Sequence, residues 1–254
     1  VVEFLGAPAV LGLQEVEDDT ALRALAAALQ RETGRRWQYV AGEVSGDGEI
    51  RNALLLDARL RVTGTQSLFA RSPRAGLPLH DRLPLVVDVD AGAHGPLRFV
   101  VVHLKSQRGL DKPAEAARVQ AKRRHQAGEL AGWLRREIAA GRHLVVLGDF
   151  NASPGPADAP ASEPLRILLD QGGLADPAPR FLKASQRWTY LYRKGCTLQQ
   201  LDHVLVAPAL APRVGGYHIG RGDSCIRARE KCDLRHSVSD HDGVVLRLRP
   251  LPAR

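Results

Sequence analysis

The sequence predicts a mixed α/β domain in which two packed sheets are flanked by helices, and three observations lead there. Strand-like segments outnumber helical ones, and most neighbouring strands lie close enough for antiparallel hairpins. Two long amphipathic helices are available to cover outer faces. No internal repeat at a period of roughly 20–50 residues competes with this reading. The length of 254 residues suits one domain, residues 1–254, and no stretch resembles a linker between two cores.

The chain opens on apolar residues at helical spacing that run into Pro8, as the last turns of a helix would. The absence of methionine fits a natural protein that extends further N-terminally. Residues 9–14 read as a short buried strand ending at Glu15. Asp19 or Thr20 then caps a helix whose Leu22, Leu25, Ala26 and Leu29 follow an i, i+3, i+4, i+7 stripe up to Gly34. Strands are predicted at 37–41, 53–56 and 60–63, with a turn at Gly46-Asp47-Gly48 between the first two. Further strands at 83–89 and 97–104 join through 92–96. Pro113 suits the first position of a helix to about Ala140, with Ala116, Val119, Leu130, Leu134 and Ile138 inside and a basic outer face. After a strand at 143–148 come a Pro/Ala-rich loop, a short helix at 165–171 stopped by Gly172-Gly173, and an aromatic-rich strand at 186–192. A strand at 201–207, a polar loop at 220–238 and a final strand at 244–248 complete the chain.

Composition narrows the classes of function. Hydrophobic residues make up 44%, enough for a sizeable core, and no apolar run approaches the ~18 residues of a membrane span, so no stable membrane insertion is expected. The net charge of +8 favours polyanionic partners such as nucleic acid or an anionic membrane surface. Arginine outnumbers lysine 30 to 6, a ratio that suits phosphate contacts and that codon bias also produces. Three cysteines in no metal-ligand spacing argue against a zinc site; Cys225 and Cys232 either staple a polar loop in an exported protein or are free thiols, with Cys196 unpaired.

Chemistry concentrates where strands end. The run Leu144–Gly148 stops and presents Asp149 and Asn151 on one side of an extended backbone, with Phe150 turned to the core. An Asx-rich turn closing a strand would use the same residues. Glu15, His103, Asp202, and Asp240 with His241 occupy four further strand ends. Each has a structural explanation alone; five together are better explained by a shared site.

The segments Leu-Gly-Leu-Gln-Glu-Val (11–16), Val-Val-His-Leu-Lys-Ser (101–106), Gly-Asp-Phe-Asn-Ala (148–152), Leu-Asp-His-Val-Leu (201–205) and Ser-Asp-His-Asp (239–242) resemble, in wording and order, those of the endonuclease/exonuclease/phosphatase superfamily. Asp-Arg-Leu-Pro-Leu (81–85), the Arg118-Val-Gln-Ala helix and Arg-Trp-Thr-Tyr (187–190) look most like its bacterial, often secreted, nucleases. The resemblance implies a DNase I-like four-layer α/β/β/α sandwich. It also implies magnesium, with manganese or calcium as substitutes, and hydrolysis of DNA or RNA phosphodiesters by in-line attack of an activated water. A phospholipid headgroup or a sugar phosphate is the alternative substrate. In these terms Glu15 is the metal ligand, and Asp240 assists the metal or orients water. Asp149 holds or deprotonates water, Asn151 contacts a phosphate oxygen, and His241, fixed by Asp202, contacts the scissile phosphate or acts as base. His103 is the general acid. Candidate substrate contacts are Lys105, the helical face Arg118, Lys122, Arg123 and Arg124, and the aromatic residues Trp188, Tyr190 and Tyr192. The resemblance further implies a monomer that is secreted or periplasmic. Relatives carry a metal-binding asparagine on a first strand that this sequence lacks, and often a proline where Gly243 stands.

Overall fold

The structure, a computed structural model, describes residues 1–45, 48–71, 73–74, 77–155, 162–192, 197–221 and 239–252. A four-residue helix, α1 (Val2–Leu5), leads into β1 (Val10–Val16), and α2 (Asp19–Thr33) follows, capped by the Asp18 side chain. Then come β2 (Trp37–Ala41), β3 (Arg51–Asp57), β4 (Arg61–Ser67), a two-residue ladder of β5 (Pro73–Arg74) and β6 (Leu77–Pro78), β7 (Leu85–Asp90) and β8 (Pro96–His103). The long helix α3 (Pro113–Ala139) precedes β9 (Leu144–Asp149) and α4 (Glu163–Arg166). The remainder is β10 (Tyr190–Tyr192), β11 (Thr197–Gln199), β12 (Asp202–Val206), β13 (Val214–Gly220) and β14 (Gly243–Leu248).

Alternation along the central strands builds the layers. The five-stranded sheet has the order β12-β9-β8-β7-β4, antiparallel except for the parallel β8–β9 pair. Val100, Val102, Leu144, Val146 and Leu205 point to one face, where they pack with Ala127, Leu130 and Leu134 of α3 and with Leu165 of α4. Their neighbours Phe99, Val101, Val145, Val204 and Val206 point the other way and meet Leu54 and Leu56 of β3 and Tyr217 of β13. Burial on both faces explains why β8 and β9 read as unbroken apolar runs. The second sheet, β1-β3-β2, turns Leu11 and Leu55 outward against Leu25, Ala26 and Leu29 of α2, and β13–β14 lines the same inter-sheet core. The result is helix, sheet, sheet, helix. Among the described residues β1 pairs with β3 alone and β14 with β13 alone.

Several elements differ from the sequence reading. β13 was not foreseen, because Gly215, Gly216 and Gly220 interrupt its pattern with residues that weaken a strand. The predicted strand at 186–192 shortens to Tyr190–Tyr192, since 184–186 coil into a single 3-10 turn. The helix predicted at 165–171 begins at Glu163 and finishes as a π turn over Ile167–Gln171. Gly46, Asp47 and all three cysteines lie outside the described residues.

The far end of β3 is fixed by charge. Asp57 is almost fully buried and accepts bonds from Arg59 (Nε 3.0 Å, Nη2 2.7 Å, backbone N 3.0 Å) and from Arg35 Nη1 at 3.3 Å. Arg35 also donates to Ala7 O at 2.6 Å, tying the entry to β1 to the same carboxylate. The Arg59 hydrogen bond outweighs the opposing effect of burial and holds the Asp57 pKa down at about 2. A depressed carboxylate pKa contributes stability above the unfolded value, about 3.8, and that contribution is lost as pH falls through about 2. Asp57→Asn is therefore expected to cost about 1–3 kcal/mol at pH 7 in urea denaturation, and the gap to the parent should narrow at pH 3.

Candidate active site

The backbone register puts three of the predicted side chains in one row. Asp149 of β9 lies opposite His103 of β8 on one side and Asp202 of β12 on the other. All three share the parity of the residues that face the second sheet, so they emerge where the two sheets part. Glu15 arrives from that second sheet through a β-bulge. Leu11 and Leu13 face α2, as does Val16, an odd number of residues on. One extra residue between Leu13 and Val16 reverses the alternation, and Glu15 takes φ 56°. The bulge turns Glu15 to the cleft, with its Oε1 3.9 Å from His103 Nε2.

Gly148 lets the row close. It sits at φ 133°, and a Cβ there would meet Val102 O of the neighbouring strand at 2.1 Å. Only glycine permits β9 to approach β8 this closely just before Asp149. Asn151 then turns back at φ 49° and bonds Asp149 twice, from its backbone N to Oδ1 at 2.7 Å and from Nδ2 to Oδ2 at 2.6 Å. Its amide also donates to Leu104 O at 3.1 Å. Phe150 between them is fully buried and meets the His203 ring edge-on.

His241 completes the group, with Nδ1 2.7 Å from Asp202 Oδ2. Ligand atoms of Asp149, Asp202 and His241 all lie within 4.8 Å of one another. Burial, and then the negative charge of Asp202, push the Asp149 pKa up to about 7. Burial alone would lower His241, but the Asp202 bond and the charges of Asp202, Asp149 and Asp240 raise it to about 9. His103, 3.4 Å from Asp149 Oδ2, goes the other way: burial, helped by Arg82, His241 and Lys105, drives it down to about 3.

Crowded oxygens and one imidazole, two of the carboxylates side by side in a buried row, form a donor set for a hard divalent cation. The two ligands predicted from sequence, Glu15 and Asp240, are exposed residues that line the same cleft without belonging to the tight group. The cleft encloses about 860 Å³ and is lined also by Gln14, Gln107, Arg108, Lys112, Tyr190 and Tyr192.

The predicted substrate contacts fare differently. Lys105, Arg118 and Trp188 do not line the cleft. Lys105 is partly buried near Arg82, Lys122 and Arg118, and burial together with these like charges lowers its pKa. Trp188 is covered by the Arg221 guanidinium, 4.0 Å from its ring centroid. Lys122 pairs with Asp81 at 2.5 Å, and Arg124 lies 3.7 Å from Glu163. Arg123 is buried and donates to Asn151 O at 2.7 Å and Lys105 O at 2.5 Å, clamping the loops that follow β8 and β9.

Two other residues hold the site together and were not singled out from sequence. Thr189 Oγ1 accepts from the backbone N–H groups of Leu201 and Asp202 at 3.0 Å, and its carbonyl accepts from Asp242 N at 2.7 Å, so one buried threonine joins the Asp202 and His241 segments. Gln126, beside Arg123 on α3, accepts from Lys105 N at 2.7 Å and donates to Leu79 O at 2.8 Å. The signal for Arg123 lay in the helix stripe, where it stands four residues after Val119 and four before Ala127. Arg123→Met removes the donor to Lys105 O and leaves Asn151 O with only the long bond from Gln107 Nε2 at 3.4 Å, which should cost about 1–3 kcal/mol in urea denaturation. Arg123→Lys should recover part of that loss, since it restores one donor.

Solved structures share this fold at low sequence identity. They include a 3' phosphatase from Neisseria bound to product DNA hairpin (22% identity, TM-score 0.61, covering 95% of this chain and 89% of that one). An AP endonuclease from Archaeoglobus fulgidus matches at 14% identity and TM-score 0.63, covering 96% and 90%. Truncated TDP2 from Caenorhabditis elegans matches at 16% and 0.60, covering 96% and 85%. No sequence among curated proteins matches the chain. The family model for Endonuclease/Exonuclease/phosphatase proteins matches residues 1–241, and the chain belongs to that family.

Proposed function

We propose that this chain is a divalent-metal-dependent nuclease that hydrolyses phosphodiester bonds of nucleic acid, with DNA as the leading substrate. The observation that carries this reading is the row of His103, Asp149 and Asp202 across three adjacent strands, with His241 bonded to Asp202. Family membership supports chemistry at a phosphoester. The net charge of +8 and Arg108 on the cleft lining support a polyanion. The similar structures, a 3' phosphatase bound to product DNA hairpin and an AP endonuclease, support nucleic acid.

The residues that would hold the cation are Glu15, Asp149, Asp202 and Asp240, oxygen donors that suit Mg2+ and also Mn2+ or Ca2+. When bound, the cation offsets the crowded carboxylates and polarises a phosphoryl oxygen. Asp149 takes the proton from the attacking water at a carboxylate oxygen, and Asn151 fixes that carboxylate through its two hydrogen bonds. In-line displacement also needs positive charge or a proton on the departing side. His241 is the group in place, because its Nδ1 is committed to Asp202 and Nε2 is left for the phosphate. This moves the acid role away from His103, whose buried ring stays neutral and lies against Asp149. Asn151 likewise serves Asp149 first, since its amide hydrogens go to Asp149 and Leu104 O.

Asp149→Asn should reduce Mg2+-supported plasmid nicking about a hundredfold or more, the usual loss on removing a general base. Its stability should change by no more than about 1–3 kcal/mol in urea denaturation, because the neutral amide relieves a buried charge beside Asp202 but gives up one of the two hydrogen bonds from Asn151. EDTA should abolish parental nicking and added Mg2+ restore it. Near-parental nicking by the variant would remove Asp149 from the mechanism.

A further inference from the structure

Beyond the reacting groups, the cleft has two walls of different character. One is the loop after β8, which contributes Gln107, Arg108 and Lys112. The other is the β10–β11 hairpin, which contributes Tyr190, Tyr192 and Gln199. On β10 the buried Leu191 packs on Leu198, so Tyr190 and Tyr192 share the opposite face, the one that lines the cleft. Tyr190 bridges to His241 through the backbone, and the two ring centroids are 4.8 Å apart. Tyr192 lies two residues further from the reacting group, about 6.6 Å along the strand. It is one of the few large rings left exposed, at 40%.

An aromatic strip leading away from the site, faced across the cleft by exposed cations, fits one class of ligand. Stacking on an aromatic ring is tolerant of base identity but requires an open base face, which a paired duplex does not offer. A lipid headgroup or sugar phosphate has no aromatic π face to stack on Tyr192. We infer that Tyr190 and Tyr192 form a nucleobase-stacking strip for an unpaired strand, with Arg108 opposite to meet the backbone phosphate, and that the preferred substrate is single-stranded or frayed nucleic acid. This rests on the nuclease reading above and narrows it. Trp188, named beside them from the sequence, is not part of the strip, because Arg221 covers its ring.

Binding and chemistry can be separated. The fluorescence anisotropy of labelled oligothymidylate, titrated with the protein in EDTA at low salt, reads the strip without turnover. Hydrolysis of bis(p-nitrophenyl) phosphate by the parental protein with Mg2+ reads the phosphodiesterase reading alone. The expected results are tighter binding of oligothymidylate than of a blunt duplex of equal length, and about tenfold weaker binding of oligothymidylate for Tyr192→Ala. Tyr192→Phe should bind within about twofold of the parent, since the ring is kept. Equal binding of duplex and single strand, or an unchanged Kd for Tyr192→Ala, would overturn the strip. Loss of affinity by Tyr192→Phe as large as that of Tyr192→Ala would also overturn it, by showing that the ring face is not what binds. Intact oligothymidylate binding without diester hydrolysis would leave the strip standing and remove the nuclease reading instead.

Discussion

Asp149 and Asp202, two acids on adjacent strands with their side chains at the same level of a buried row, are the constraint on which the site depends. Like charges at that separation resist ionising together, and the pKa of Asp149 rises to about 7, through burial first and its neighbour second. The surroundings offset this in pieces. Asn151 donates twice to one acid and His241 once to the other, while Glu15 and Asp240 add exposed carboxylates to the same cleft. A fold with no use for a cation would gain by placing an apolar residue at either position.

Holding such a row requires a scaffold that does not relax. β8 and β9 are buried on both faces, so sliding either strand by one residue would turn a whole set of aliphatic side chains out of the core. Gly148 sets the close approach of the two strands. Arg123 and Gln126 of α3 hold the loops beyond them, and Thr189 holds the entry to β12 together with the segment that carries His241. The helices thus do more than cover the sheets. Within its inner stripe α3 carries a buried cation that fixes backbone carbonyls in the loops after β8 and β9.

Much of this was legible in the sequence, for reasons that separate what was seen from what was missed. Central strands could be read because burial on both faces makes them uninterrupted apolar runs, and the polar residues that end those runs could be read as one site. Direction was harder. Glu15 looks like the plain end of a strand; the bulge that turns it toward the cleft leaves no mark in composition. Arg123 looks like part of a solvated basic face, although its spacing from Val119 and Ala127 places it inside. Trp188 shares the parity of Tyr190 and Tyr192, yet it lies ahead of β10 and the Arg221 guanidinium covers its ring, so the cleft goes to the two tyrosines. β13 escaped because three glycines break its pattern while backbone pairing with β14 carries it.

The central claim is that the buried acids are arranged around a divalent cation. Crystals of the protein grown with Mn2+ and measured at the manganese absorption edge test this most directly. The expected result is a strong anomalous peak in the cleft among the carboxylates of Glu15, Asp149, Asp202 and Asp240. A cleft without a peak under saturating Mn2+, with the row of His103, Asp149 and Asp202 intact, would contradict it.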